Sequence, residues 1–225
     1  MHRLISPELF GRGVMAFFTG KDPGADLRAI SKIVNISHGS IYLPIQKHTD
    51  KVLYLDTSME PRIADAVVTD RKDVLIGVQT ADCVPVLLHD PKQGVIGAVH
   101  AGWRGTAAGI VKGTIRFMVE RFACRPEHIL LAIGPSIRGC SYEVDHEVYD
   151  AVSRATGEGA YHEKKGGKYH LDLAAANRLQ ALSAGVPAAN VWTSPDCTFC
   201  NPERFYSYRY AKGSTGRQGG FIGML

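Results

Sequence analysis

The stretch from Val74 to Gly105 constrains this chain more than any other. Val74–Gln79, Val84–His89 and Val95–His100 are short apolar runs of strand length. Asp90-Pro91-Lys92-Gln93-Gly94 separates the last two, and its Asp-Pro opening and closing Gly suit a tight reversal. The third run passes through Ala101-Gly102-Trp103-Arg104-Gly105 into a different period. There Val111, Ile115, Met118 and Phe122 fall on one helical face, with Thr106 as the expected N-cap. Three strands followed at once by a helix predict a mixed fold.

The rest of the chain repeats that alternation. Val14–Thr19, Ile41–Ile45, Val52–Leu55, Ala66–Thr69 and Ile129–Ile133 read as strands, and Arg125-Pro126 stops the long helix. Gly134–Cys140 reads as a loop with close backbone approach. Glu143–Ala151 is expected to be the start of a helix, and Gly157–Lys168 reads as an exposed loop. Asp172 is placed to cap a helix over Leu173–Ala184 that Gly185 stops. Val191–Thr193, Arg204–Tyr208 and Gly220–Met224 complete the strands. With no repeat and no linker, the 225 residues are expected to form one domain of α/β or α+β type.

Composition excludes several classes. A chain with 45% hydrophobic and 21% charged residues is not disordered, and its length supports a core without disulfide staples. The net charge is only +4, and no block of Lys and Arg occurs, so no nucleic-acid partner is expected. Five scattered cysteines do not form a secreted disulfide framework, which points to a reduced cytoplasm. Glu8 and Arg12 interrupt the apolar start, so no signal peptide is expected, and no apolar run is long enough to span a membrane.

Three residues could share a chemical role: His48, Cys83 and His100. Each sits at or just beyond the end of an expected strand, where side chains converge on one rim. Two imidazoles and a thiolate are a competent ligand set for zinc, with a fourth position open to water or substrate. Their separations of 35 and 17 residues match no zinc signature, so the residues alone leave open a bland reading as packed histidines and a buried thiol. Asp82 could orient a ligand or serve as a base, provided a turn at Ala81–Cys83 brings it to the same side as Cys83. Arg104, in a glycine-flanked strand-to-helix turn, could bind an anion or simply face solvent. Cys197-x-x-Cys200 lacks a second such pair and reads as two ordinary loop thiols. His2, His38, His89, His128, His146, His162 and His170 lack a spaced partner and read as structural or exposed.

Longer motifs carry a resemblance. Gln79-Thr80-Ala81-Asp82-Cys83-Val84-Pro85-Val86-Leu87-Leu88 and His100-Ala101-Gly102-Trp103-Arg104-Gly105 resemble the signature of the laccase-domain (YfiH-like) family. Ala64–Thr69, Ile133–Ile137, Tyr142–Val144, Asp172–Leu173, Phe205–Arg209 and Thr215–Arg217 extend the match in order along most of the chain. The resemblance implies an α+β fold, a single layered α/β/β/α domain with mixed sheets, similar to the catalytic domain of cytotoxic necrotizing factor. It implies zinc held by two His and one Cys, which fall at His48, Cys83 and His100. It also implies a purine nucleoside phosphorylase acting on adenosine, inosine and methylthioadenosine, with adenosine deaminase activity; an older label is polyphenol oxidase. Three positions depart from the family pattern. Thr49 stands where a Gly often follows the ligand His, Tyr210 where a second Arg follows Arg209, and Ser141 where a second Cys is common.

The leading expectation is therefore a zinc enzyme whose partners are a nucleoside and orthophosphate. In it Arg104 holds phosphate, Arg209 is a further substrate contact, and Asp82 or Cys83 moves protons. Three alternatives remain at this point. A copper oxidase would suit a His₂Cys set, although no His-x-His pair occurs. A Cys–His hydrolase or deamidase would use Cys83 as nucleophile and His100 as base. A metal-stabilised binding module would have no activity. The oligomeric state is left open.

Overall fold

The computed structural model describes residues 4–224; His2 lies outside the described residues. The elements run β1 (Val14–Phe18), α1 (Leu27–Val34), β2 (Ile41–Tyr42), β3 (Val52–Tyr54), β4 (Ala66–Thr69), β5 (Leu75–Thr80), β6 (Val84–Asp90) and β7 (Val95–Ala101). They continue with α2 (Trp103–Ala107), α3 (Ile110–Phe122), β8 (Leu130–Ile133), β9 (Glu143–Val144) and α4 (His146–Thr156). Last come β10 (His162–Lys165), β11 (Lys168–Leu171), α5 (Leu173–Ser183), β12 (Val191–Thr193) and β13 (Gln218–Met224).

Side-chain alternation along the strands sorts these elements into layers. A six-stranded sheet has the order β12-β8-β6-β7-β4-β3, and a four-stranded sheet the order β1-β13-β5-β2. On β6, Val84, Val86 and Leu88 turn to one face, where they pack with Ile110, Val111, Ile115 and Met118 of α3 and Ala174 of α5. Leu87 turns to the other face and meets Phe18, Ile76, Val78 and Ile222 of the four-stranded sheet. The far face of that second sheet, through Phe17, Leu75 and Phe221, covers Ile30 of α1. The order is thus helices, sheet, sheet, helix. The central strands are buried on both faces, which is why they read as unbroken apolar runs. Cross-strand packing within the four-stranded sheet needs glycine at particular points. A Cβ on Gly77 would stand 2.4 Å from the Phe221 ring, and one on Gly220 would stand 2.8 Å from Phe18.

Five expectations are corrected. Thr106 is not an N-cap: α2 begins at Trp103 with Gly102 at its cap, and buried Thr106 receives a hydrogen bond from Asn177 Nδ2 at 2.9 Å. Gly109, at φ 71°, then breaks the helix before α3. Glu143 and Val144 form a strand against β11, so the helix starts only at His146. Within Gly157–Lys168, His162–Lys165 is an exposed hairpin arm paired with β11; His-Glu-Lys-Lys buries no face and carries no apolar pattern to betray a strand. Arg204–Tyr208 is not a strand. Its alternation of buried Phe205 and Ser207 mimics one, but Gln218's side-chain amide takes both the N–H and the C=O of Tyr206 in place of a neighbouring strand. The Ile41–Ile45 strand is shorter than expected and ends at Tyr42, ahead of Pro44. Among the described residues, no helix is long and apolar enough to cross a membrane.

Candidate metal centre and active site

Three segments converge on one point. β5 and β6 are joined by the tight turn Ala81-Asp82-Cys83, with Asp82 at φ 88°, and this turn aims the Cys83 thiol off the sheet end. Pairing of β6 with β7 sets His100 opposite Pro85, beside that turn. His48 arrives on the loop between β2 and β3 and itself holds φ 57°.

A residue that the sequence reasoning did not single out fixes both histidines. Asp65, fully buried just before β4, accepts from His100 Nδ1 at 2.8 Å and from the His48 amide at 3.0 Å through one oxygen. The other oxygen accepts from the amides of Lys47 (3.1 Å) and Thr49 (2.7 Å) and from the Thr49 hydroxyl (2.8 Å). Five donors compensate the desolvated charge. The signal was in plain sight: an acidic residue within the otherwise apolar Ala64-Asp65-Ala66-Val67-Val68 must find partners inside the fold. Thr49, where the family pattern has Gly, holds the loop through that same carboxylate.

One ligand atom from each of His48, Cys83 and His100 lies within 4.8 Å of the other two. Cys83 Sγ is 3.9 Å from His48 Nε2, and a tetrahedral zinc separates such a pair by roughly 3.5 Å. With Nδ1 of His100 committed to Asp65, its Nε2 faces the cavity. Gly102 leaves the floor clear, because a Cβ there would stand 3.0 Å from Cys83 Sγ and 3.1 Å from the His48 ring. Both the donor set and the space therefore fit a thiophilic divalent ion.

Charge coupling prepares the same residues. Burial alone would raise the Cys83 thiol, but the His100 charge, with hydrogen bonds from His100 and His48, brings it down to about 6. Burial alone would lower His100, but the neighbouring thiolate and Asp65 push it up to about 9. Burial opposes ionisation of Asp65 too, and its hydrogen bonds from His100 and Thr49 overcome that, holding it well below the usual carboxylate range.

These three side chains line a cavity of about 760 Å³ whose walls also include Trp103, Arg104, Tyr142 and Arg209. Arg104 lies 4.2 Å over the Trp103 ring, and Arg209 lies 5.1 Å over Tyr142 and donates to the Glu143 carbonyl at 3.0 Å. Arg217, absent from the sequence expectations, lines the same wall. Asp82 is engaged at both oxygens: Thr198 Oγ1 donates to one at 2.6 Å and the Arg209 amide to the other at 2.7 Å. Arg138 turns away to Asp172 and the Ser194 carbonyl. Tyr210, in place of a second Arg, is exposed against Phe199. Cys197 and Cys200 are not an isolated pair, because Cys140 joins them.

The family described as multi-copper polyphenol oxidoreductase laccase matches residues 23–225. The chain belongs to that family. Among curated proteins similar to this chain, the purine nucleoside phosphorylase YlmD of Geobacillus stearothermophilus is 41% identical over 162 residues, 71% of this chain and 59% of the relative. The chain thus spans about three-fifths of that relative's length. The adenosine deaminase RL5, from an unknown prokaryotic organism, is 37% identical over 190 residues, 79% of this chain and 72% of the relative. The crystal structure of YlmD from Geobacillus stearothermophilus superposes with a TM-score of 0.90 at 30% identity, covering 97% of this chain and 94% of that one. The laccase-family fold is therefore the mixed α/β arrangement described above.

Proposed function

We propose that this protein is a zinc-dependent purine nucleoside phosphorylase acting on adenosine, inosine and S-methyl-5'-thioadenosine, with adenosine deaminase as a second activity. The observation that carries the reading is one cavity in which a His₂Cys ligand set forms the floor and guanidinium groups form the walls. The activities for which two relatives are named, phosphorylase and deaminase, fit such a site.

His48 Nε2, Cys83 Sγ and His100 Nε2 hold the metal. Bound zinc supplies a Lewis acid, able to polarise a substrate oxygen for phosphorolysis or to lower the pKa of a water for deamination. Arg104 and Arg209 bind orthophosphate by charge-assisted hydrogen bonds and set it against the anomeric carbon of the ribose. Trp103 and Tyr142 hold those guanidinium groups in place. As the phosphate oxygen bonds to carbon, the departing purine takes the glycosidic electron pair and needs a donor. Tyr142 is suited to that, since burial and the nearby Cys83 charge push its hydroxyl up to about 12 and keep it protonated. Asp82, with both oxygens engaged, acts as a positioning residue for Arg209 rather than as the base. Free thiols at all five cysteines suit a reducing compartment, and we place the protein in the cytoplasm.

The test is product analysis with metal content measured on the same sample. Adenosine plus orthophosphate should give adenine and ribose 1-phosphate, with zinc bound in proportion to activity. Inosine made from adenosine without phosphate reports deamination. Copper in the active fraction, or no phosphate-dependent product, refutes the reading.

A second reading draws on one observation. Cys83, His100 and Asp65 stand in the order nucleophile, base and orienting acid, as in a Cys–His hydrolase. Turnover that survives complete metal removal would favour it.

A further inference from the structure

Away from this cavity, two loops bring three more thiols together. β8 and β12 are parallel neighbours, so their following loops leave the same end of the sheet, and a bridge between Ser136 and Cys197 ties them. Cys140 lies on the first loop, Cys197 and Cys200 on the second. Cys140 Sγ is 3.8 Å from Cys197 Sγ and 3.4 Å from Cys200 Sγ, and all three sulfurs lie within 4.8 Å of one another. A tetrahedral zinc with bonds of about 2.3 Å sets its sulfur ligands roughly 3.8 Å apart. The cluster therefore matches three corners of a thiolate site.

Apolar packing does not account for it, since Cys140 and Cys200 are exposed and only Cys197 is buried. The sulfurs also have polar company. The Cys200 amide donates to Cys197 Sγ at 3.2 Å, and Ser141 Oγ lies 3.2 Å from Cys200 Sγ and 3.5 Å from Cys140 Sγ. Hydrogen bonds to sulfur of this kind hold metal-bound thiolates in orientation.

We propose that Cys140, Cys197 and Cys200 form a second metal site, separate from His48, Cys83 and His100, which binds zinc through three sulfurs and keeps a fourth position for water. Each thiol gives its proton to solvent as its sulfur bonds to the ion; nothing is oxidised or reduced. Zinc suits the site because thiolates select soft or borderline cations over magnesium or calcium. The ion braces the main cavity. Thr198, between two of the ligands, donates to Asp82, and the Ile137 amide, on the other loop, donates to the Asp82 carbonyl at 3.0 Å. Both thiol-bearing loops thus grip the turn that carries Cys83.

Titrating zinc into the reduced, chelator-stripped full chain tests this. Wild type should bind two ions per chain, Cys83→Ser one, and the Cys140→Ser/Cys200→Ser double variant one. Cobalt(II) in the Cys83→Ser variant should show the intense sulfur-to-metal charge transfer of a thiolate site, lost when Cys140 and Cys200 are also replaced. In wild type, which raises no question of misfolding, zinc should protect Cys140 and Cys200 from a maleimide mapped by peptide mass. One ion in wild type and none in Cys83→Ser, or equal labelling with and without zinc, overturns the second site while leaving the first intact. One ion in both wild type and Cys83→Ser, with thiol protection kept, sinks the first site and upholds the second.

Discussion

The 2.8 Å hydrogen bond between His100 Nδ1 and Asp65 decides which nitrogen of His100 meets the cavity. The same carboxylate oxygen holds the His48 amide, so one buried charge sets the spacing of two ligands from distant segments. Asp65→Asn should cut zinc affinity at the His₂Cys site by about 10- to 100-fold, the usual cost of losing a partner behind a ligand histidine. Competition against a chromophoric chelator measures it, and unchanged affinity would remove Asp65 from this role. The variant should also be less stable than wild type at neutral pH. The ionised Asp65 contributes above its unfolded value of 3.8, and that contribution fades only as pH falls through its lower folded value.

In metal-free protein the Cys83 thiol should titrate near pH 6, against 9.0 for an ordinary thiol. The sign follows from the cation beside it: charge on His100 favours the thiolate, so removing that charge raises the thiol. His100→Gln should therefore move the midpoint of Cys83 alkylation by iodoacetamide upward, toward the ordinary value. A midpoint near 9 in both proteins would show that the pair is uncoupled.

Gly102 has φ −72° and ψ 176°, a conformation open to any residue, so Gly102→Ala should fold. Its methyl group would crowd Cys83 Sγ and the His48 ring. Circular dichroism should stay as in wild type while zinc per chain at this centre falls. Full occupancy with normal affinity would show that the floor yields.

Arg104→Ala should raise KM for orthophosphate more than KM for the nucleoside. Loss of charge-assisted hydrogen bonds worth about 1.5–3 kcal/mol corresponds to roughly 10- to 100-fold in kcat/KM for phosphate. Arg209→Lys should also weaken phosphate use, because an ammonium group cannot reproduce a planar fork stacked on Tyr142. If both variants keep the wild-type phosphate dependence, the anion sits elsewhere.

The strands from Val74 to Ala101 were legible because they bury both faces and so carry a dense apolar code. His48, Cys83 and His100 stood out because chemistry-bearing residues at strand ends tend to share a rim. Asp65 showed as an acid among apolar residues, but its role was hidden, because it depends on a loop residue 16 positions away and a strand residue 35 away. Cys140 was hidden for a related reason, since parallel pairing of β8 with β12 closes a gap of 57 residues to Cys197 that spacing does not encode. The exposed hairpin at His162–Lys165 gave no apolar signal, and Arg204–Tyr208 gave a false one. Side-chain hydrogen bonds stand in for a strand partner there.

β13, the strand farthest from β1 along the described residues, takes an interior slot between β1 and β5, with all seven of its residues buried. During folding the four-stranded sheet must therefore wait, as two halves with bare edges, until residues 218–224 insert between them. Until then Phe18 and Val78 lack Ile222 beside them, and the inner edges of β1 and β5 are open to pairing with another chain. Chaperone shelter should therefore matter most before that insertion.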